Sequence, residues 1–336
     1  MCYSAKVRAE YREYVKEFGA ILSLDQYVAE YWEQMGDDWI KRMPSAIRAW
    51  FRGPGTEAKA QIGQAIEDWT ARQIPEYEAE LAKQLARLEE NERKLTKKIT
   101  KTAQEEVRKA TAKIESTAAM LKLLTKPNVA ADTARIFPQS IAPIMVWENG
   151  RRVIKMMRFQ CRKAGAPSSS DWVIDRVTKQ KRMSGAYNAR RDNLERYWRH
   201  QFGYSHGIVI ADTFFEHVWR HNMEGRELRP GEKREDVILE FVPDTGKTML
   251  IACIWSHWDG ASAGEPDEPD LQSFAFITDD PPPEVAAAGH DRCVIPIKPE
   301  NVDAWLQPNP ENLATLHAIL DDRERPYYDH QFAAAA

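Results

Sequence analysis

The spacing of apolar positions changes character once along the chain, near Asn128. From Ala5 to about Thr133, Ala, Glu, Lys, Arg, Gln and Leu dominate and β-branched runs are few, which predicts helix. Arg52-Gly53-Pro54-Gly55 breaks that pattern, and Glu57 to Trp69 resumes it with an end expected near Pro75. From Glu76 to Leu124 no Pro or Gly intervenes, and Leu81, Leu85, Leu88, Leu95, Ile99, Val107 and Ile114 recur mainly at steps of three, four and seven. Glu92, Thr102 and Glu106 fall on the same stripe, so a helical hairpin and one continuous rod satisfy the pattern equally. A rod of about 45 residues would be roughly 70 Å long.

Beyond Asn128, Pro138 and Pro143 appear and apolar β-formers arrive in short runs separated by turn residues. Strands are predicted over Ile144 to Trp147, Arg152 to Phe159, Gly207 to Asp212, Val237 to Val242, Thr248 to Trp255, Ser273 to Ile277 and Cys293 to Ile297. Pro243-Asp244-Thr245-Gly246 between two of them reads as a hairpin turn. Pro299 followed by the apolar stretch Val302 to Leu306 predicts a short helix after the last strand. Helices followed by strands imply an α+β fold and not a doubly wound sheet.

Composition narrows the setting. The 336 residues, 43% of them hydrophobic, can bury a core. The longest apolar stretches, such as Thr248 to Trp255, fall far short of the roughly 20 residues a bilayer span needs. Cys2, Cys161, Cys253 and Cys293 are too scattered for a disulfide framework, so a reducing cytoplasm is the expected location. The net charge of -4 hides a segregation: 151–200 holds 14 Lys/Arg against Asp171, Asp175, Asp192 and Glu195, whereas 221–300 holds 7 against 17 acidic residues. A concentrated basic segment suits a polyphosphate backbone, and it also suits a solvated face paired with the acidic segment. Arg93, Lys94, Lys97, Lys98 and Lys101 form a second basic run, open to the same two readings.

Several enzyme classes drop out, because the chain lacks a phosphate-binding Gly-rich loop with Lys, a dinucleotide fingerprint and a His-Glu-x-x-His motif. His217 and His221 have a helical metal-ligand spacing but follow a predicted strand and lack a third ligand, so neither a metal site nor a cofactor is expected. Cys2 stands apart. Loss of Met1 would expose a 1,2-aminothiol with an amine pKa near 7.7 to 8.0 and a thiol near 8.5, both usable at cellular pH. Such an amine attacks an aldehyde to give an imine, and the thiol closes on it to form a thiazolidine.

Three downstream passages carry a resemblance: Tyr187-Asn188-Ala189-Arg190, the run from Gly207 through Ala211-Asp212-Thr213 to Glu216, and Gly289-His290-Asp291-Arg292. In this order they resemble motifs of the SOS response-associated peptidase (SRAP) family, which also begins Met-Cys. Ile141-Ala142-Pro143 and Met157-Arg158-Phe159 are similar to two further family fragments. The resemblance implies a mainly antiparallel, barrel-like β core with flanking helices. It divides the chain into 1–17 and 134–325 as core, 18–133 as a helical insertion and 326–336 as a flexible tail. Two departures stand out: Ser4 replaces a basic residue expected to contact phosphate, and Thr213 replaces a usual Gly.

The family attaches its N-terminal Cys to the aldehyde of abasic sites in single-stranded DNA. Carried over, Cys2 is the nucleophile, Glu216 relays the proton of its amine, His290 protonates the sugar oxygen and Asn188 orients the reactants. Arg190 would grip a phosphate, with Thr278 and Arg158 as further DNA contacts and Trp172 as a base-stacking surface. The expected partner is single-stranded DNA carrying an abasic site, with nucleoid association when bound. Removal of Met1 by the chain itself and reversal of the crosslink are compatible with the same chemistry. Two alternatives stay open: a cysteine peptidase using Cys2 and His290, and a noncatalytic scaffold that binds DNA, a protein partner or a second copy through the helical insertion.

Overall fold

In a computed structural model, residues 4–7, 19, 21–22, 33–125, 135–176 and 179–333 are described. They form two compact units, one built from Met1–Pro44 with Ala134–Ala336 and the other from Ser45–Thr133. No described helix is long and apolar enough to cross a membrane.

The first unit is an α+β body. Its strands are β1 (Ser4–Val7), β2 (Ile21–Leu22), β3 (Arg135–Ile136), β4 (Ile141–Glu148), β5 (Arg151–Phe159), β6 (Trp172–Ile174) and β7 (Lys181–Met183). After them come β8 (Asn188–Arg190), β9 (His206–Trp219), β10 (Asp236–Pro243), β11 (Met249–Trp258), β12 (Leu271–Asp279), β13 (Cys293–Val294) and β14 (Tyr328–Phe332). Five strands close a ring: β9 bonds β11, β11 bonds β12, β12 bonds β5, β5 bonds β4, and β4 returns to β9. Every junction is antiparallel except β5 with β12, so the barrel is mixed. Closure hides the backbone groups that an open sheet would leave at its edges. Phe159, Phe274 and Phe276 fill part of the interior, with Phe159 stacked on Phe274 at 5.2 Å and tilted against Phe276 at 4.7 Å. Gly207 is required where β4 and β11 converge, since a Cβ there would meet the Ile144 side chain at 2.9 Å and the Cys253 sulfur at 3.1 Å.

β9 organises the sheet because it changes partners halfway. His206 to Ala211 pair with β11, while Phe214 to Trp219 pair with β10 and Ser4 to Lys6 of β1 lie against Phe215 to Thr213. This corrects the hairpin reading of Pro243 to Gly246. The turn exists, with the Gly246 amide donating to the Pro243 carbonyl at 2.9 Å, but β10 and β11 follow one another along β9 and do not pair together. The strand also outruns its predicted end at Asp212, which places His217 within it, bonded to Asp236 at 2.6 Å.

Further corrections concern the ends. Ser4–Val7 is a strand although the composition from Ala5 reads as helix, because it is captured between β3 and β9. Ile21–Leu22 pairs with β5, and the sheet-bearing unit extends to Pro44, so the compact helical unit begins at Ser45 and not at residue 18. Residues 326–336 contain β14, antiparallel to β10, with Tyr328 buried edge-on against Phe214 at 5.1 Å. An aromatic anchor of this size helps hold Tyr328–Phe332 against the sheet.

Helix α1 (Glu33–Arg42), interrupted at Gly36, belongs to the first unit, and α2 (Ser45–Arg52), α3 (Glu57–Lys97) and α4 (Lys101–Thr125) form the second. Thr56 caps α3, which runs through Pro75 instead of ending there. Of the two arrangements the stripe allowed, the hairpin is found: Thr100 accepts the Ala103 amide at 3.2 Å to start α4, and Arg87 reaches across to Glu106 at 2.6 Å. The seam on α4 is made of Ala103, Ala110, Thr117 and Leu124, spaced by seven and all buried. Small residues let the two backbones approach, and Leu85 and Ile99 of the expected stripe stay 49% and 75% exposed.

Candidate active site

Glu216 lies in the second half of β9, between β1 and β10. Strand alternation puts it on the same side as Phe214 and Val218, both buried, where a hydrophobic residue would be the default. Its side chain is 0% exposed, and a carboxylate in such a place needs a polar partner. His290 is that partner among the described residues, with Nε2 at 3.2 Å from Oε2 and 8% exposed itself. The preceding Gly289 has φ of 93°, and a Cβ there would meet Asn222 at 2.8 Å, so glycine is needed to turn the chain and deliver His290.

The hydrogen bonds of His290 define what the pair can do. Nδ1 lies 2.8 Å from the Arg292 carbonyl and 3.4 Å from the Arg292 amide, so the shorter contact makes Nδ1 a donor. Burial lowers the His290 pKa to about 4, which leaves the ring neutral at neutral pH. A neutral ring that donates from Nδ1 turns the Nε2 lone pair toward Glu216, 3.2 Å away. That separation is within reach of a proton transfer between the two groups.

Strands β8, β12 and β13 assemble the neighbouring wall. Asn188 lies opposite Phe276 and Arg190 opposite Thr278 on one side of β12, and Thr278 and Asp279 face Val294 and Cys293 on the other. Asn188 and Thr278 are buried, and the Thr278 hydroxyl has no hydrogen-bond partner among the described residues. Arg190 is exposed and paired with Asp192 at 2.6 Å, with Asp291 and Asp280 also nearby. Cys293 closes the cluster from β13, where the charge of Glu216 acts on its thiol. Sequence motifs pick out Asn188, Arg190, Glu216 and His290, but they give no sign of Cys293.

Cys2 lies outside the described residues, and β1 begins two residues after it. The register sets Ser4 opposite Phe215, the neighbour of Glu216. Ser4 accepts a hydrogen bond from Arg135 Nε at 2.8 Å, and the Arg135 guanidinium packs 3.7 Å from the Phe215 ring centre. A cation therefore stands beside position 4 although Ser4 itself carries none. Arg135 was missed in the sequence because a contact across 131 positions leaves no local pattern. The described cysteines are unsuited to nucleophilic work: Cys161, Cys253 and Cys293 are all buried. Burial pushes the Cys161 thiol up to about 12 and those of Cys253 and Cys293 well above their usual value.

Two expected DNA contacts lie elsewhere. Arg158 pairs with β12 at Ser273, five residues before Thr278 and roughly 17 Å along an extended strand. Its guanidinium is buried and bonded to Asp171 at 2.6 and 3.0 Å, with Arg162 on the same carboxylate at 2.6 Å. That network engages both terminal nitrogens of Arg158 in the interior, away from Thr278. Trp172, on the separate hairpin of β6 and β7, is 40% exposed with Lys181 Nζ 4.7 Å from its ring centre, a surface open to a stacking base. No group of three metal-ligating side chains occurs among the described residues.

The family model described as SOS response associated peptidase (SRAP) matches residues 94–332. Among solved structures, a protein from Bordetella bronchiseptica is 16% identical and covers 60% of this chain and 88% of its own, with a TM-score of 0.43. A phage-related protein from the same organism is 18% identical over 60% and 81%, with a TM-score of 0.40. A Bacteroides thetaiotaomicron protein is 14% identical over 60% and 77%, with a TM-score of 0.39. No curated protein matches the chain.

Proposed function

Because the chain belongs to the SOS response associated peptidase family, a family associated with DNA damage, we propose that it crosslinks covalently to abasic sites in single-stranded DNA through Cys2 freed of Met1. The observation that carries this reading is the buried Glu216–His290 pair, one residue from the register position of Ser4. Two residues of extended chain span about 7 Å, so an amine at position 2 has the reach to meet Glu216. The burial of every other cysteine among the described residues supports Cys2 as the nucleophile.

In the proposed reaction the Cys2 amine adds to the sugar aldehyde, one of its two protons moving to the aldehyde oxygen to make a hydroxyl and the other passing to the Glu216 carboxylate. The relay through His290 returns a proton to the hydroxyl, which leaves as water while the imine forms. The thiol then adds across the carbon–nitrogen double bond, sulfur to carbon and its proton to nitrogen, closing the thiazolidine. Asn188 orients the reactants, and Thr278 offers its hydroxyl toward the sugar-phosphate. Arg190 takes a phosphate by exchanging it for Asp192, one anion for another. Trp172 and Lys181 supply a stacking surface for neighbouring bases. The same steps run backward would release the DNA, and self-removal of Met1 would use the same relay. The proposal sets this action on DNA in the cytoplasm, at the nucleoid when bound.

The test is the intact mass of the purified protein before and after incubation with a single strand bearing one abasic site, alongside Cys2→Ala. A heat-stable adduct on a chain lacking Met1, absent in the variant, is expected. A Met1-free chain that forms no adduct overturns the proposal. Transfer of a purified crosslink to fresh abasic DNA tests the reversal.

A further inference from the structure

The tip of the hairpin formed by α3 and α4 has no part in the chemistry above. Arg93, Lys94 and Lys97 lie in the last turns of α3, Lys98 in the connection and Lys101 at the start of α4, with no acidic residue from 93 to 101. All five are exposed. Farther along the hairpin several charges are matched: Arg87 pairs with Glu106, and Arg108 and Lys109 with Glu105. At the tip only Lys94 has such a partner, Glu90 at 2.6 Å, and Arg93, Lys97, Lys98 and Lys101 make no ion pair among the described residues.

Helix stability accounts for part of this arrangement. Cations in the last turn of α3 and at its C-cap Lys98 suit the negative end of its dipole, but Lys101 stands at the positive end of α4, where the dipole disfavours it. Arg93 and Lys97, four apart on one helix, also repel. At the apex Ile99 is 75% exposed, a large apolar side chain set between lysines. Clustered cations beside an uncovered apolar group complement a polyanion that also presents apolar faces. An unpaired nucleic-acid strand has both, whereas a duplex hides its base faces.

We propose that this tip is a noncovalent docking surface for single-stranded DNA, in which Arg93, Lys97, Lys98 and Lys101 hold backbone phosphates and Ile99 lies against an unstacked base. The proposal rests on the reading of DNA as the substrate and adds a contact, made by the helical unit, that needs neither Cys2 nor an aldehyde.

Binding of the full chain to an undamaged fluorescent single strand, followed by anisotropy over a series of KCl concentrations, tests it. One variant carries Arg93→Gln, Lys97→Gln, Lys98→Gln and Lys101→Gln; a control of equal charge loss carries Lys83→Gln, Lys109→Gln, Lys113→Gln and Lys122→Gln, exposed residues outside the tip. The tip variant should bind at least about tenfold more weakly, with a log–log salt slope shallower by about 2–3, since each phosphate contact on a single strand contributes about 0.7. The control should stay within about twofold of the parent on the same electrostatic argument. An unchanged slope in the tip variant, or an equal loss in the control, overturns the proposal. So does a tip-dependent affinity that appears only for a duplex of the same sequence, or only for vesicles of phosphatidylcholine and phosphatidylglycerol. Helix content by circular dichroism confirms that both variants fold. The strand carries no aldehyde, so a chain that binds it but forms no adduct with an abasic strand would refute the Cys2 chemistry and leave this assignment standing.

Discussion

Glu216 and His290 face each other across 3.2 Å in a space that admits almost no water, and the proposed proton transfer needs both. Glu216→Gln keeps the shape of the site but removes the proton acceptor, and His290→Ala removes the other half of the relay. Each should lower the crosslinking rate by about a hundredfold or more, the usual loss on removing a general acid–base group, in single-turnover gel assays. With the His290 pKa near 4, the parent rate should show no titration of this imidazole between pH 5 and 8 and should fall below about pH 4 as the ring takes up a second proton. A break near pH 6.5 would show that the imidazole titrates as if solvated.

Arg158 illustrates the opposite case, a motif residue whose work is internal. Arg158→Met leaves Asp171 with Arg162 alone and should cost about 3 kcal/mol in urea unfolding, while the salt dependence of DNA binding stays as it was. From the sequence, the residues that the proposed chemistry uses were legible: Asn188, Arg190, Glu216 and His290 stand in short motifs. Arg135, Asp171 and Cys293 were not, because their importance lies in which distant residue they meet.

At the level of elements, the strands of the barrel were legible in position but not in partnership. Alternation locates β10 and β11 and the turn between them, yet the 14-residue length of β9 decides that both pair with it in succession. Length is a property of the tertiary capture of a strand, and the apolar run to Asp212 does not encode it. In the helical hairpin the leucine stripe drew attention from the true seam, because alanine is as common on helix surfaces as within them. Ala110, fully buried at that seam, gives a direct test. Ala110→Leu should overpack the interface and destabilise the helical unit by about 1–3 kcal/mol, read as loss of helix signal on heating. Leu85→Ala, on the half-exposed stripe, should cost less.

Across the whole molecule, the charge segregation seen in the sequence resolves into separate uses. Part of the basic segment is neutralised inside, as Arg158 and Arg162 are by Asp171, and part is paired at the surface, as Arg191 is with Asp321 and Asp279. Net charge alone could not distinguish these from cations open to DNA. Stability should also depend on pH through His206, buried with Nε2 accepting the Gly203 amide at 2.9 Å and Nδ1 donating to the Trp305 carbonyl at 3.1 Å. Burial lowers its pKa from 6.5 to about 3, so between these values the unfolded chain binds the extra proton. The stabilisation is complete above pH 6.5 and drains as pH falls toward 3, by about 1.4 kcal/mol per pH unit for this one group. Urea denaturation of His206→Gln should give a shallower dependence over that window, against a lower baseline stability.

The closed ring has a consequence in time as well as in space. Its parallel junction joins segments far apart in the chain, as the bond from the Arg162 amide to the Ser273 hydroxyl shows by spanning 111 positions, whereas the helical hairpin is clasped by Arg87 and Glu106 only 19 apart. Long loops must be closed before such a junction gains anything, and local contacts need no such wait. On dilution from denaturant the helices should therefore gather first, and the ring should shut late, with the groups of the reactive cluster meeting only at that last step.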